Sequence, residues 1–159
     1  MSYRIGSGVD FHQLQKGREL WIGGVHIPFK KGALGHSDAD VLLHAICDAL
    51  LGALALGDIG IHFPNTSEEF KNIQSIILLQ RTMGLVKQKG YSVVNIDSTI
   101  CLEEPKLKQY TSEMRRIIAG ATSVSENDVS IKATTTEEMG FIGKGRGIMA
   151  YATALLQKV

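Results

Sequence analysis

The sequence predicts an α+β fold, a two-layer sandwich in which helices cover one face of a mixed β-sheet. Three observations predict it: strand-like segments at both ends and in the middle of the chain, amphipathic helical segments between them, and strand and helix lengths that suit two packed layers. The 159 residues are 44% hydrophobic and 21% charged, which is typical of a globular protein. We expect residues 1–159 to form a single domain.

The N-terminal part of the chain is predicted to be β-structure. Residues 3–12 and 20–29 look like two short strands, and the turn-forming residues 15–17 lie between them. These segments predict a β-hairpin, with the Gly23-Gly24 pair supplying a turn or a bulge.

From residue 37 to about 56, apolar residues recur at helical spacing, and Ser37-x-x-Asp40 resembles a capping box. A helix is therefore expected to begin at Ser37.

The rest of the chain alternates helices and strands. A helix is predicted over residues 72–89, where Gly90 ends it, and another over 107–121. Strands are predicted at 91–102, 129–134 and 146–156. In the first of these strands, one face carries Val94, Ile96, Ser98, Ile100 and Leu102 and is predicted to be core. In the last strand, Ala150, Ala152 and Ala154 would permit close contact with another subunit.

Charge and cysteine content limit the partners and the compartment. Seventeen basic and sixteen acidic residues give a net charge of +1, so nothing predicts a nucleic acid or a membrane as partner. Any anionic ligand must be held locally. Cys47 and Cys101 lie in apolar patterns and are predicted to be buried free thiols of a reducing compartment. With no export signal at its start, the chain is expected in a bacterial cytoplasm, or in a plastid if a transit peptide has been removed.

The Asp10-Phe11-His12 segment is a candidate metal site. Residues two apart on a strand share a face, so Asp10 and His12 present a carboxylate and an imidazole together. His44 is the leading third ligand, with Asp40 and Asp48 one turn away on either side to orient its ring. Two histidines and a carboxylate leave one tetrahedral zinc position open, although they also describe the facial triad of iron oxygenases. A surface strand pair and an unrelated helix histidine fit the same spacing.

Two further segments could bind phosphate. His36-Ser37 would lie at a helix N-terminus, where N–H groups favour anions, or Ser37 would only cap that helix. Residues 133–137 end a strand with Thr134, Thr135, Thr136 and Glu137, which suit a diphosphate and a divalent ion but are also ordinary strand residues. Lys106 and Lys132 could add charge or simply be solvated. Residues 58–60 and 63–67 fit a loop or a flap, and 143–147 lack the spacing of a P-loop.

Taken together, these segments resemble the 2-C-methyl-D-erythritol 2,4-cyclodiphosphate synthase family along nearly the whole chain. The resemblance lies in residues 6–12, 36–40, 48–52, 57–60, 63–64 and 132–137, which follow the family's order and spacing. It implies a homotrimer with the sheets facing the three-fold axis and each active site shared between neighbouring subunits. The implied reaction converts 4-diphosphocytidyl-2-C-methyl-D-erythritol 2-phosphate to the 2,4-cyclodiphosphate and releases CMP in non-mevalonate isoprenoid synthesis. A nucleotide-binding module that binds CDP without releasing CMP is the alternative.

The resemblance also implies a role for individual residues. Zinc falls to Asp10, His12 and His44, and magnesium or manganese to Glu137, while His36 and Thr135 would stabilise the transition state. The implied substrate contacts are Asp10, His12, His36, Ser37, Asp58, Ile59, Gly60, Phe63, Asn65, Pro105, Lys106, Leu107, Thr134, Thr135, Thr136, Glu137, Phe141 and Lys144.

Four positions depart from the family pattern. Asn65 stands where the family usually has Asp, and His62 matches no motif and is interpreted as a surface residue. Lys144 and Arg146 replace what are commonly Arg and Glu near the trimer axis. If both faced the axis, a trimer would gather six cations there. We therefore expect an anion on the axis, such as phosphate, sulfate or an isoprenoid diphosphate with its tail against Phe141.

Overall fold

The computed structural model describes residues 2–159, which form seven strands and five α-helices. The strands are β1 (Tyr3–Lys16), β2 (Leu20–Ile22), β3 (Val25–Ile27), β4 (Lys31–Ala33), β5 (Tyr91–Cys101), β6 (Val129–Thr134) and β7 (Gly147–Lys158). The helices are α1 (Val41–Ala53), α2 (Ile59–His62), α3 (Ser75–Gln88), α4 (Thr111–Thr122) and α5 (Gly140–Gly143), with short 3₁₀ turns at Glu68–Phe70 and Glu126–Asp128.

Five strands form the main sheet in the order β4-β1-β7-β5-β6. The β5–β6 pair is parallel and the other pairs are antiparallel, so the predicted mixed sheet is confirmed. The predicted hairpin between residues 3–12 and 20–29 is wrong. Segment 20–29 is itself a small hairpin, because Gly23 and Gly24 have φ angles of 61° and 78° and turn β2 back onto β3.

Helix α1 packs very closely against β1. A Cβ atom on Gly6 would lie 2.0 Å from the Ala49 carbonyl oxygen, and one on Gly8 would lie 2.1 Å from that of Ala45. On β7, the positions beside this stripe are Ala150, Ala152 and Ala154, which are fully buried on the same side. The expectation that these alanines face another subunit is therefore wrong, since their small size serves the contact between the helix layer and the sheet.

The opposite face of the sheet has no helix on it. Helices α1, α3 and α4 all lie in the single layer that contacts β1, β5, β6 and β7 from one side. Several large side chains that point away from this layer are apolar yet exposed: Ile5 is 71% exposed, Phe11 53%, and Val9 and Tyr151 each 45%. We call this surface the open face. An apolar surface of this kind is typical of a protein–protein contact.

The N-cap of helix α1 is a buried carboxylate, Asp40, three residues after the predicted start at Ser37. Asp40 is the N-cap and is fully buried, and its side chain accepts hydrogen bonds from the backbone N–H groups of Leu43, Gly23 and Gly24 at 3.0, 2.9 and 2.7 Å. Burial and the nearby Asp38 carboxylate raise the pKa of Asp40. This one side chain thus joins the helix start to the β2–β3 hairpin.

The other boundaries differ from the predictions by a few residues. The third helix starts at Ser75 rather than 72 and ends before Gly90, whose φ of 76° fits the predicted stop. The fourth starts at Thr111 rather than 107. In β5, a register irregularity between Val93 and Asn95 reverses the alternation, so Val93 rather than Val94 lies in the core with Ile96.

Both cysteines are free thiols, as predicted, but only Cys47 is buried. Its burial raises the pKa of the thiol to about 12, whereas Cys101 is half-buried on the open face. No helix within residues 2–159 has both the length and the apolar character needed to cross a membrane.

Replacing Asp40 with alanine is expected to lower the free energy of unfolding by about 3 kcal/mol, because a helix cap is lost and buried N–H groups are left unpaired. Ser125→Ala is the matched control, since Ser125 caps an exposed 3₁₀ turn by accepting from Asn127 N–H. Urea denaturation followed by circular dichroism measures both variants. Equal losses in the two would contradict the joining role of Asp40.

Candidate active site

Three candidate metal ligands converge between β1 and α1. Asp10 and His12 lie on the side of β1 that faces α1, and His44 projects from the first turn of α1. The Asp10 Oδ2 atom lies 2.9 Å from His12 Nε2 and 3.1 Å from His44 Nδ1, and the two nitrogens are 3.2 Å apart. Within residues 2–159 this is the one group of at least three His, Cys, Asp or Glu ligand atoms close enough to share an ion.

The triangle formed by these atoms fits a tetrahedral ion. Bonds of about 2.0–2.1 Å at tetrahedral angles place ligand atoms about 3.3 Å apart, close to the separations found. His12 has the matching tautomer, because its Nδ1 lies 2.9 Å from the Leu34 carbonyl oxygen, which can only accept. Nδ1 of His12 therefore carries the proton, and the Nε2 lone pair is left for the ion.

The ring of His44 is held by different residues from those expected. Asp40 caps α1, and Asp48 accepts a hydrogen bond from Ile59 N–H at 2.7 Å, so neither carboxylate contacts the ring. The second ring nitrogen, Nε2, instead lies 2.9 Å from Ser75 Oγ and 3.2 Å from Ser37 Oγ. The sequence does not predict the contact between Ser75 and His44, because the two residues are 31 positions apart and Ser75 carries no motif of its own.

The ionised state of Asp10 also favours a cation. Burial disfavours ionisation of the Asp10 carboxyl, but the contacts with His12 and His44 outweigh it and lower its pKa to about 2. Burial lowers the pKa of the His12 imidazole, but the hydrogen bond and charge of Asp10 prevail and raise it, so a metal ion must compete with a proton for Nε2. Asp10 is therefore an anion at neutral pH.

A cavity of about 440 Å³ opens directly beside the triangle. Eight predicted site residues line it: His12, His36, Ser37, His44, Ile59, Gly60, Phe63 and Asn65. His36 Nε2 donates to the Ser67 carbonyl oxygen at 3.0 Å, which ties residues 63–67 to the cavity wall. Asp58 caps α2 by accepting from Ile61 N–H at 3.1 Å. The cavity is large enough for a phosphorylated small molecule.

His36 and Ser37 do not lie at a free helix N-terminus, contrary to expectation. The Leu43 N–H group in the first turn of α1 is occupied by the Asp40 carboxylate, and Ser37 Oγ accepts from Ala39 N–H at 3.1 Å before the helix begins. A phosphate in the cavity would therefore contact the His36 and Ser37 side chains without help from the α1 dipole.

The predicted contacts in residues 105–107 and 134–137 form a second cluster. Thr134, at the end of β6, is separated from Phe11 by three strand spacings, about 14 Å. Glu103 Oε1 accepts from Thr136 N–H at 2.7 Å and holds the threonine run beside the loop that contains Pro105, Lys106 and Leu107. Leu107 is buried, so only its main chain is available to a ligand. One chain thus carries two separate half-sites.

The turn after β6 presents two acidic side chains to solvent. Glu137 and Glu138 are exposed and adopt left-handed backbone angles, with φ of 53° and 63°. Thr135 Oγ1 accepts from Glu137 N–H at 3.3 Å, and Thr136 Oγ1 donates to the Met139 carbonyl oxygen at 2.7 Å. Strained, well-anchored turns of this kind are frequent at ligand sites.

Lys144 and Arg146 line different cavities. Arg146 lies with Phe11 and Phe141, whose rings are 6.2 Å apart, beside the open face. Lys144 lines another cavity with Lys31 and Glu138.

His62 is half-buried rather than a surface residue. Its Nε2 donates to the Leu56 carbonyl oxygen at 2.9 Å, which fastens the end of α2 to the segment that follows α1.

Comparison with known proteins agrees along the whole chain. The model of the YgbB family matches residues 3–157. The chain is 56% identical over 158 residues to the 2-C-methyl-D-erythritol 2,4-cyclodiphosphate synthase of Bacteroides thetaiotaomicron, covering 99% of both chains. It is 55% identical to the Bacillus subtilis protein of the same name, covering 98% of this chain and 99% of that one.

Solved structures share the fold. The bifunctional IspDF of Campylobacter jejuni superposes with a TM-score of 0.95 at 38% identity, covering 99% of this chain but 43% of that longer protein. A CDP complex of Plasmodium falciparum IspF superposes with a TM-score of 0.87 at 32% identity, covering 99% of this chain and 97% of that one.

Proposed function

This chain belongs to the YgbB family, and we propose that Asp10, His12 and His44 bind the zinc ion of a 2-C-methyl-D-erythritol 2,4-cyclodiphosphate synthase. The enzyme is a cyclising phosphorus–oxygen lyase of non-mevalonate isoprenoid synthesis. It converts 4-diphosphocytidyl-2-C-methyl-D-erythritol 2-phosphate to the 2,4-cyclodiphosphate and releases CMP. The observation that carries the site assignment is the ligand triangle on the wall of the 440 Å³ cavity.

The ligand set supports a catalytic zinc ion. Two imidazole nitrogens and one carboxylate oxygen leave one tetrahedral position for a substrate oxygen. An iron oxygenase would use the same residue types, but the whole-chain relatives are cyclodiphosphate synthases. A bound zinc ion would supply fixed positive charge beside the phosphoryl oxygens.

The protein's main task in this reaction is to position one flexible substrate. The 2-phosphate oxygen attacks the β-phosphorus of the same molecule, and holding the two in line can supply about 7–11 kcal/mol of the barrier. Because the nucleophile is already an anion, no histidine is needed as a general base. We assign His36 and Ser37 to the phosphate in the cavity, and Thr135 to the opposite side of the diphosphate, where their polar groups would stabilise the transition state.

We expect the wild-type enzyme to contain one zinc ion per chain and His44→Ala to contain almost none, since two ligands remain. Plasma emission spectrometry after dialysis measures the zinc content. CMP release from the authentic substrate should fall at least 100-fold in the same variant. The control is His62→Ala, which removes an imidazole that contacts the Leu56 carbonyl instead of the triangle. Full zinc content in His44→Ala would refute the ligand assignment.

We further propose that the active enzyme is a homotrimer whose sheets face the three-fold axis. Two observations support it: the apolar open face with no helix on it, and the 14 Å that separate the two half-sites in one chain. In such an assembly the zinc site of one subunit could meet residues 105–107 and 134–137 of its neighbour. Each complete site would then require two subunits.

Ile5→Glu is expected to break this assembly, because it places a charge on the open face at its most exposed large apolar side chain. Light scattering after gel filtration should give three times the chain mass of 17.3 kDa for the wild type and a smaller species for the variant. The matched control is Ile77→Glu, which changes an exposed isoleucine on α3, in the helix layer. A wild-type monomer, or an Ile5→Glu trimer, would contradict the proposed interface.

We assign Glu137 to a second divalent ion, magnesium or manganese, that bridges the substrate diphosphate. The exposed carboxylate, the anchored threonine run and the proximity of residues 105–107 support this assignment. Carboxylates and phosphate oxygens are the ligands that magnesium prefers. The cytidine would lie against Pro105, Lys106 and Leu107 and against Thr134 and Thr136.

Glu137→Gln should keep its zinc but lose most of its magnesium-dependent CMP release, because an amide binds magnesium less well than a carboxylate. Titration of activity with magnesium in metal-depleted buffer gives the apparent affinity. Glu138→Gln tests the specificity of the effect, since Glu138 is the adjacent exposed acid with the same left-handed backbone. Identical magnesium curves for Glu137→Gln and the wild type would remove Glu137 from the mechanism.

We also propose that an anion binds on the trimer axis, held by three cations rather than the six expected from the sequence. Arg146 lies beside the open face with Phe141, so a trimer would place three arginines near the axis, while Lys144 belongs to another cavity. A phosphate or sulfate would offset this charge, and an isoprenoid diphosphate could add a tail against Phe141.

We also propose that residues 1–159 act as one domain in the bacterial cytoplasm.

A further inference from the structure

A chain of hydrogen bonds runs from the back of His44 to a carboxylate. His44 Nε2, the nitrogen that points away from the ligand triangle, lies 2.9 Å from Ser75 Oγ. Ser75 Oγ in turn contacts Asp38 Oδ1. The chain therefore connects a proposed zinc ligand on α1 with the first residue of α3 and with the segment before α1.

The direction of each hydrogen bond follows from the chemistry of the groups. An ionised carboxylate only accepts, so the single hydroxyl proton of Ser75 is donated to Asp38. Ser75 Oγ can then offer only a lone pair to His44, and this contact, at 2.9 Å the shorter of the two that Nε2 makes with hydroxyls (Ser37 Oγ lies at 3.2 Å), favours the ring proton on Nε2. The other nitrogen, Nδ1, is left with a free lone pair directed at Asp10 and His12.

The carboxylate at the end of this chain is firmly fixed. Asp38 Oδ2 accepts from Ser75 N–H at 2.9 Å and Oδ1 accepts from Asp40 N–H at 3.1 Å, while Asp38 N–H donates to the Ile73 carbonyl oxygen at 3.1 Å. Ser75 is fully buried. The Ser75 hydroxyl is therefore a fixed acceptor 2.9 Å from the ring nitrogen, closer than Ser37 Oγ at 3.2 Å.

From these contacts we propose that Ser75 and Asp38 are positioning residues that hold His44 in the Nε2–H tautomer and so present Nδ1 to the metal. This inference rests on the zinc site proposed above and adds to it a cause for the ligand's orientation. Leu34 serves His12 in the same way through its carbonyl oxygen. Acceptors behind metal-bound histidines typically change metal affinity by 10-fold to 100-fold.

The first experiment measures zinc affinity with a competing chelator. Ser75→Ala removes the acceptor without adding volume, and the zinc dissociation constant should rise about 10-fold to 100-fold. The matched control is Thr82→Val, which removes another fully buried hydroxyl from the same helix at a position seven residues further along. Its zinc affinity should equal that of the wild type. His44→Ala, measured in parallel, gives the loss expected when a ligand is absent.

The second experiment reads the tautomer itself. In Asp38→Asn the amide N–H can donate to Ser75 Oγ, so the hydroxyl proton would turn toward His44 and favour a proton on Nδ1. Nitrogen-15 NMR of histidine-labelled, zinc-free protein at alkaline pH distinguishes the two neutral tautomers. Because the Asp10 carboxylate 3.1 Å from Nδ1 favours a proton there when zinc is absent, the readout is a difference: we expect a larger Nε2–H fraction in the wild type than in Asp38→Asn. This readout does not depend on activity, and a loss of stability alone would not reverse a tautomer.

The outcomes separate this inference from the zinc assignment. If His44→Ala loses zinc while Ser75→Ala binds it as tightly as the wild type, the hydrogen-bond chain has no positioning role and the zinc site stands. If His44→Ala keeps its zinc, both proposals fail. An Nε2–H fraction that is unchanged in Asp38→Asn likewise overturns the inference, even where Ser75→Ala is too unstable to measure.

Discussion

The candidate active site depends on how closely α1 approaches the sheet. Gly6 and Gly8 leave no room for a Cβ atom beneath the backbone of α1, and the buried alanines of β7 extend this flat contact. This close packing brings His44 to within 3.2 Å of His12 across the interface between helix and strand. A larger residue at Gly8 would lift the helix and separate the ligand atoms, so a packing constraint fixes the chemistry.

Three carboxylates, buried at Asp40 and half-buried at Asp38 and Asp48, organise the region around this contact. Asp40, Asp38 and Asp48 accept backbone hydrogen bonds at the starts of α1, α3 and α2 respectively. Helix N-termini that could attract phosphate are therefore already occupied by the protein's own anions. An anionic substrate must find its positive charge elsewhere, which makes bound metal ions and the His36 side chain more important to the site.

The sequence allowed the local pattern to be predicted better than the long-range contacts. Alternation and helical spacing located most elements, and the rule that residues two apart share a strand face placed Asp10 beside His12. The irregularity at Val94 left no signal in the apolar pattern, and the role of Asp40 as helix cap was obscured by Ser37 three residues earlier. Ser75 could not be predicted as a partner of His44, because only folding brings together residues 31 positions apart.

X-ray diffraction recorded on both sides of the zinc absorption edge tests the central claim most directly. Crystals of the enzyme grown with zinc should show one anomalous peak per chain, about 2.0–2.2 Å from Asp10 Oδ2, His12 Nε2 and His44 Nδ1. The account also requires His44 Nε2 to remain in contact with Ser75 Oγ when the metal is present. A peak at another location, or coordination through His44 Nε2 with the ring reversed, would contradict it.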